Sequence, residues 1–186
     1  IASIVQAIKL AASDGCDTVV FTTGSRSENF AMSLRSDLRE SSFIQVGDYI
    51  GIAVRNAIRN RIPHIHIVGM FGKLSKMADG RMMTHASGSE VNMAMLASLA
   101  KEAGASRGLT SEITVANTAR HVWELTSKAS LDGFPRLICD RVIEKVLYFA
   151  RKPVGLEVTL IDFSGKILSH RPENPIHTAP RRSSCE

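Results

Sequence analysis

Apolar residues recur at Ile1, Ile4, Val5, Ile8 and Ala12. That spacing predicts a helix with one buried face over residues 1–12. Asp14-Gly15 breaks it, because glycine ends a helix at little steric cost. Thr18 to Thr22 is a short β-branched and aromatic run, the pattern of a buried strand. It leads through Thr23-Gly24-Ser25 to a helix expected from Glu28 to Leu38. Gly47-Asp48 opens the next helix, with an apolar stripe at Ile50, Ala53, Val54, Ala57 and Ile58. Pro63 stops that helix, and His64 to Val68 reads as a second strand. Gly69-Met70-Phe71-Gly72 turns off its end, and a loop is expected to about Ser89.

The second half is richer in helix. A mostly apolar stretch from Glu90 to Ala103 is closed by Gly104. Two more helices are expected, about Ser111 to Lys128, capped by Thr110 or Ser111, and Pro135 to Arg151, with proline at its start. Leu156 to Asp162 and Lys166 to Ser169 read as a hairpin around Ser164-Gly165, or as two late strands. From His170 onward Pro, Arg and Ser dominate, so residues 170–186 are expected to be a loose tail on a single domain of residues 1–169. The order of elements predicts an α/β fold: a mostly parallel, Rossmann-like sheet flanked by helices, with the hairpin added late. Ligands of such sheets bind beyond the carboxyl ends of the strands. Two segments fall there, Thr22-Thr23-Gly24-Ser25 and Gly69 through His85.

Composition narrows the partners. Of the 186 residues 44% are hydrophobic and only 5% aromatic, which predicts an aliphatic core and disfavours the stacking platforms of single-stranded nucleic-acid binders. The net charge is +5, and it is concentrated. Between Val54 and Arg81 stand Arg55, Arg59, Arg61, Lys73, Lys76 and Arg81 against Asp79 alone, which suggests either an anionic partner or a solvated helix face. Cys16, Cys139 and Cys185 are scattered and odd in number, so neither a zinc motif nor a disulfide framework is indicated, in keeping with a cytoplasmic location. No apolar run reaches membrane-spanning length and no signal peptide is visible. The chain starts at Ile1 and not Met, which reads as a piece of a longer protein.

Candidate chemistry lies in the two strand-end segments. In Thr22-Thr23-Gly24-Ser25, glycine allows close backbone approach, and hydroxyls with free amides at a helix start suit an anion; a plain capped turn fits the pattern equally well. In Gly69-Met70-Phe71-Gly72-Lys73-Leu74-Ser75-Lys76 the Gly-Lys pair is followed by Leu74, so the spacing of a phosphate-binding P-loop fails. Lys73 and Lys76, three apart, share a face of a helical turn and would meet an acidic ligand. Thr84-His85-Ala86-Ser87-Gly88-Ser89 places His85 near the expected site, as a proton acceptor or as a brace of its loop. His64 and His66 alternate with Ile65 and Ile67; the pair could hold a metal, but no third ligand is evident and no metal site is expected. Asp48, Asp140 and Glu144 read as solvent-facing.

Several strings resemble a known family. Thr22-Thr23-Gly24 with Glu28, Val46-Gly47-Asp48-Tyr49-Ile50-Gly51, and Val68-Gly69-Met70-Phe71-Gly72-Lys73-Leu74-Ser75-Lys76-Met77-Ala78-Asp79-Gly80 running on to Met83-Thr84-His85 are similar to the later half of the CbiD family, the cobalt-precorrin-5B C1-methyltransferases. Phe71 stands where that family usually has isoleucine, and Met70 stands at or near a common glycine. The resemblance implies methyl transfer from S-adenosylmethionine to C-1 of a cobalt-bound, carboxylate-rich tetrapyrrole in anaerobic cobalamin synthesis, giving cobalt-precorrin-6A. It implies Thr22, Thr23, Gly24, Ser25, Gly69 and Gly72 on the donor side, Lys73, Lys76, Thr84 and His85 toward the substrate, with His85 the candidate catalytic group. Cobalt would enter only inside the substrate. Neither a nucleic-acid nor a membrane partner is expected, and a homo-oligomer is left open. The family also carries a glycine- and threonine-rich region upstream, so this chain alone is expected to be a poor catalyst. The reading from another class is a non-catalytic α/β module that binds an acidic ligand such as a corrinoid.

Overall fold

A computed structural model describes residues 1–85 and 90–172. Its elements in chain order are α1 (Ala2–Ser13), β1 (Thr18–Thr22), α2 (Ser25–Leu34), β2 (Phe43–Gln45), α3 (Ile50–Arg59), β3 (His64–Met70), α4 (Phe71–Ala78), α5 (Met93–Glu102), α6 (Arg107–Thr114), α7 (Ala119–Lys128), α8 (Gly133–Ala150), β4 (Gly155–Ile161) and β5 (Ile167–Arg171). The strands form one sheet in the order β2-β1-β3-β4-β5. The first four are mutually parallel, and β5 pairs antiparallel with β4. The α/β architecture with a late hairpin is therefore the one expected.

Alternation along the strands splits the sheet into two unlike faces. Val19 and Phe21, Ile65 and Ile67, and Leu156, Val158 and Leu160 point into the main core with α1, α3, α4 and α8. The opposite face buries only a small cluster, Val20, Val68 and Ile161 against Ala31 of α2. Phe30, Leu38, Phe43 and Met70 pack against that cluster, and the same face also holds two fully buried polar side chains, His66 and Thr159. The main core is aliphatic for most of its area, but it is not free of aromatics. Phe21, Phe71 and Phe134 are among the largest fully buried side chains, and the Phe71 ring lies 5.9 Å from Phe134 and 6.0 Å from Trp123. Few aromatics in the chain did not mean none in the core: Phe21 is buried in β1, and Phe71, Trp123 and Phe134 gather where α4, α7 and α8 meet.

Several boundaries differ from expectation. β2 has three residues and too little local pattern to read; it exists because its backbone pairs with β1 from Val20 to Thr22. The helix expected from Glu28 begins at Ser25 and ends at Leu34, where Arg35 leaves the helical region at φ −120°. The loop expected from Gly69 to Ser89 does not exist as such: Gly69 and Met70 complete β3 and α4 starts at once. Phe71, Leu74, Ser75, Met77 and Ala78 supply its buried stripe, and that stripe overrides the loop-like glycines. The stretch expected as one helix over 111–128 is two, α6 and α7. Ser106 caps the first, accepting from the Leu109 amide at 3.2 Å, and Thr118 caps the second, accepting from His121 at 3.1 Å. Thr110 is no cap; its hydroxyl donates back to the Ser106 carbonyl. The hairpin turn is where it was expected, with Gly165 at φ +90°, and β5 continues through His170 to Arg171. The rest of the tail, 173–186, and Ala86 to Ser89 of the His85 loop lie outside the described residues.

Candidate functional site

The chain passes from β1 outward to β2 and then returns to place β3 on the other side of β1. That reversal opens a crevice beyond the carboxyl ends of β1 and β3, where open parallel sheets bind ligands. Thr22 stands beside Val68 in the register. Val46 donates its amide to the Thr22 carbonyl at 2.9 Å, which draws the exit of β2 to the same edge. One edge therefore gathers residues 22–25, 46–48, 69–76 and 82–85.

Thr22 is fully buried and Thr23 is 8% exposed, yet neither hydroxyl has a hydrogen-bond partner. Buried hydroxyls are nearly always paired, since leaving one unmade costs ~1–3 kcal/mol. Gly24 precedes α2 with extended backbone, φ 166°, and no side chain caps that helix. A Cβ at Gly24 would point into open space, with no atom within 4 Å. The first-turn amides of α2 thus face an open volume beside two unpartnered hydroxyls, an arrangement suited to a negative group. A cavity of about 440 Å³ lies between α2 and the hairpin turn, lined by Arg26, Asn29, Phe30 and Ser33 of α2, Ile161 of β4 and Asp162 to Gly165, and residues 22–25 and 69–76 do not line it. Its size falls in the ~300–1,000 Å³ range of ligand sites.

Of the two other glycines, only Gly69 is set by close packing. A Cβ at Gly69 would lie 3.1 Å from both Leu74 Cδ2 and Thr23 Cγ2, so glycine lets α4 fold straight back over the end of β3. Gly72 is the second residue of α4, with Ala119 of α7 its nearest neighbour at 3.9 Å.

The cationic side is a network rather than a row of free charges. Lys73 donates to Asp48 Oδ1, and the buried Thr84 hydroxyl donates to the same oxygen at 2.9 Å. The Thr84 amide donates to the Asp48 carbonyl at 3.1 Å. Lys76 donates to the Thr84 carbonyl at 3.0 Å. Asp48 is thus the hub that joins α3, α4 and the strap of residues 82–85. It had read as solvent-facing; its carboxylate is only 21% exposed, and the sign of its role was the Val46-Gly47-Asp48 string, where Gly47 takes φ +56°. Burial opposes ionisation of Asp48, but the bonds from Lys73 and Thr84 and the charges of Lys73 and His85 prevail, holding the carboxyl below its usual range. Burial, with the Lys73 charge nearby, lowers Lys76 from its ordinary value. Asp140 is half-buried and pairs with Arg171 at 2.5 Å, while Glu144 is exposed beside Arg141 and Lys145.

His64 and His66 do not act as a pair. His64 is exposed at the start of β3, whereas His66 is buried near Glu157 and His170. Burial, reinforced by the charges of His170 and Arg35, pushes His66 down to about 3. Cys139 is buried in α8 and pushed up to about 12 by that burial, which makes it inert near neutrality. No helix among the described residues is long and apolar enough to cross a membrane.

An open α/β sheet, parallel but for its edge strand β5 and with its chain reversal at β1 and β3, places the fold in the doubly wound class. Comparison with known proteins gives the family. Residues 83–172 match the family described as CbiD, C-terminal domain. The chain is 47% identical over 167 residues to a cobalt-precorrin-5B C(1)-methyltransferase of Leptospira interrogans, covering 90% of this chain and 46% of that protein. It is 44% identical over 162 residues to the protein of the same name from Rubrobacter xylanophilus, covering 87% and 42%. A Geobacillus sp. protein of that name is 38% identical over 173 residues, covering 93% and 47%. The chain belongs to the CbiD family. It spans about half the length of the curated relatives it matches. No solved structure matches it.

Proposed function

We propose that this chain provides the donor-binding wall of a methyltransferase that moves a methyl group from S-adenosylmethionine to C-1 of cobalt-precorrin-5B, giving cobalt-precorrin-6A in anaerobic cobalamin synthesis. The observation that carries the reading is the pair of buried, unpartnered hydroxyls of Thr22 and Thr23 beside the open Gly24 at the switch point. The names of relatives at 38–47% identity support the reaction. S-adenosylmethionine supplies an electrophilic methyl on a sulfonium, and the conjugated ring supplies the carbon nucleophile. The chain's own task is then placement, which can account for ~7–11 kcal/mol of a barrier. Thr22 and Thr23 offer hydroxyls, and Ser25 with the first amides of α2 receives the donor's carboxylate. Gly24 keeps the approach clear, Gly69 sets the shape of the wall by letting α4 pack close, and Gly72 offers its amide in the first turn of α4. Toward the ring, Lys73, Lys76 and Thr84 present a strap already braced by Asp48. A tetrapyrrole carboxylate would share Lys73 and Lys76 with those internal acceptors. His85 is the candidate for holding or accepting a proton as the ring is alkylated. Cobalt belongs to the substrate.

The test is a calorimetric titration of the chain with S-adenosylmethionine and S-adenosylhomocysteine, repeated on Gly24→Val. The structure has room for that valine, so the variant should melt like the parent but bind the donor at least tenfold more weakly. Equal affinity in parent and variant would remove the crevice as the donor site. Binding of a corrinoid with no binding of either donor form would favour the non-catalytic module.

A further inference from the structure

We infer that His66, Glu157 and His170 form a binding site for one divalent transition ion, separate from the switch-point crevice. The three residues come from neighbouring strands β3, β4 and β5 and share the sheet face turned away from the main core. His66 is the register partner of Glu157, and Thr159, two residues on, is the partner of His170. One ligand atom from each of the three lies within 4.8 Å of the others. Exposure is graded: His66 is fully buried, while the side chains of Glu157 and His170 are 24% and 38% exposed. An ion would have a fixed inner ligand and two outer ligands at the entrance.

The hydrogen bonds leave the right groups available. Thr159 Oγ1 lies 2.8 Å from His66 Nε2 and 2.8 Å from His170 Nδ1, and His170 Nε2 lies 3.1 Å from Glu157 Oε1. A hydroxyl oxygen can accept two hydrogen bonds, so both rings can donate to Thr159 Oγ1. With His66 Nε2–H and His170 Nδ1–H both donating to it, His170 Nε2 keeps its lone pair 3.1 Å from Glu157 Oε1, a close approach that a bound cation would satisfy. His66 Nδ1 is then a bare, buried nitrogen, and it has no partner. Arg35 clasps Asp37 through two contacts of 3.0 Å and reaches Glu157 only at 3.5 Å. Arg35 is thus held mainly by Asp37, and an ion bound to Glu157 would displace its longer contact.

Two imidazoles and a carboxylate suit Zn²⁺ and its borderline neighbours such as Co²⁺, which bind such donors at ~2.0–2.2 Å. Closing the cluster to those lengths requires swings of Glu157 and His170, the two side chains nearest solvent, while the backbone register stays. Thr159 is placed as the outer partner that orients a ligating ring. The cluster lies three to four residues before the end of β3, ~10–13 Å from the switch-point edge at ~3.3 Å per residue. Its role is therefore to pin the antiparallel edge strand β5 to the parallel sheet.

The test is a titration of the metal-stripped chain with Co²⁺, read by its visible ligand-field bands and followed by Zn²⁺ competition, on the parent and on His170→Ala, Glu157→Gln and Thr159→Val. The parent should bind one ion with the strong bands of a low-coordinate Co²⁺ site, and Zn²⁺ should displace it. Losing a ligand in H170A or E157Q should weaken binding by more than about tenfold, the loss typical even of an outer partner, and T159V by about tenfold. Thermal melts of the metal-free variants check folding; His170 and Glu157 are partly exposed, so either variant keeps the test decisive if the other misfolds. Absence of Co²⁺ bands in the parent, or parent-like affinity in both folded ligand variants, would overturn the site.

Discussion

Replacing Asp48 by alanine tests the hub that holds the candidate substrate side together. The carboxylate accepts from Lys73, which is 31% exposed, and from Thr84, which is fully buried. Loss of the Lys73 pair, both members partly exposed, is worth at most ~1 kcal/mol. Orphaning the buried Thr84 hydroxyl adds ~1–3 kcal/mol. The expected loss is ~1–4 kcal/mol for Asp48→Ala. Asp48→Asn keeps an oxygen for Thr84 and gives up only the charge, so it should lose ~1 kcal/mol. For a chain of this length each kcal/mol moves Tm by ~2–4 °C. Alanine should therefore lower Tm by roughly 2–16 °C, and more than asparagine, which should lower it by roughly 2–4 °C. Urea unfolding followed by far-ultraviolet circular dichroism measures both. If Asp48→Ala melts with the parent, or if alanine and asparagine are equivalent, the bond to Thr84 does not brace the strap and the hub is wrongly assigned.

The pH dependence of that contribution has a definite sign. Asp48 has a lowered pKa in the folded chain, so its stabilisation is complete above the unfolded carboxylate value of ~3.9 and disappears as pH falls through the depressed folded value. The stability gap between the parent and Asp48→Asn should be constant from pH 7 to about 5 and close in strong acid; a gap that widens on acidification would contradict the assignment. Gly51→Ala should loosen the same strap from the other side. Its Cβ would stand 2.9 Å from Met82 Cβ and 3.2 Å from the Met82 carbonyl that now accepts the Gly51 amide. The overpacking cost of ~1–3 kcal/mol should exceed the ~1 kcal/mol gained in helix propensity. Faster hydrogen exchange at the Thr84 amide and a lower Tm are expected, and an unchanged or higher Tm would show that the contact relaxes freely.

What the sequence determined by itself was local. The β-branched run from Thr18 to Thr22, the alternation through His64 to Val68 and the turn at Ser164-Gly165 each specify an element within a few residues, because side-chain periodicity and backbone preference act at that range. The strand-end positions of Thr22 to Ser25 followed from that rhythm, and the CbiD strings were legible as strings. Tertiary structure decided what no short window contains. β2 is a strand only because β1 offers it backbone partners. α4, whose glycines and lysines look like a loop, is a helix because Phe71, Leu74 and Met77 fall on one face against the core. Lys73 and Lys76 read as free cations until the strap brought Asp48 and Thr84 to them. His66 meets Thr159 93 residues away, and it meets Glu157 and His170 only because sheet register sets three strands side by side. Charges and ligands at such separations find each other through a register fixed by burial of the opposite face, and that choice belongs to the whole sheet rather than to any one of its strands.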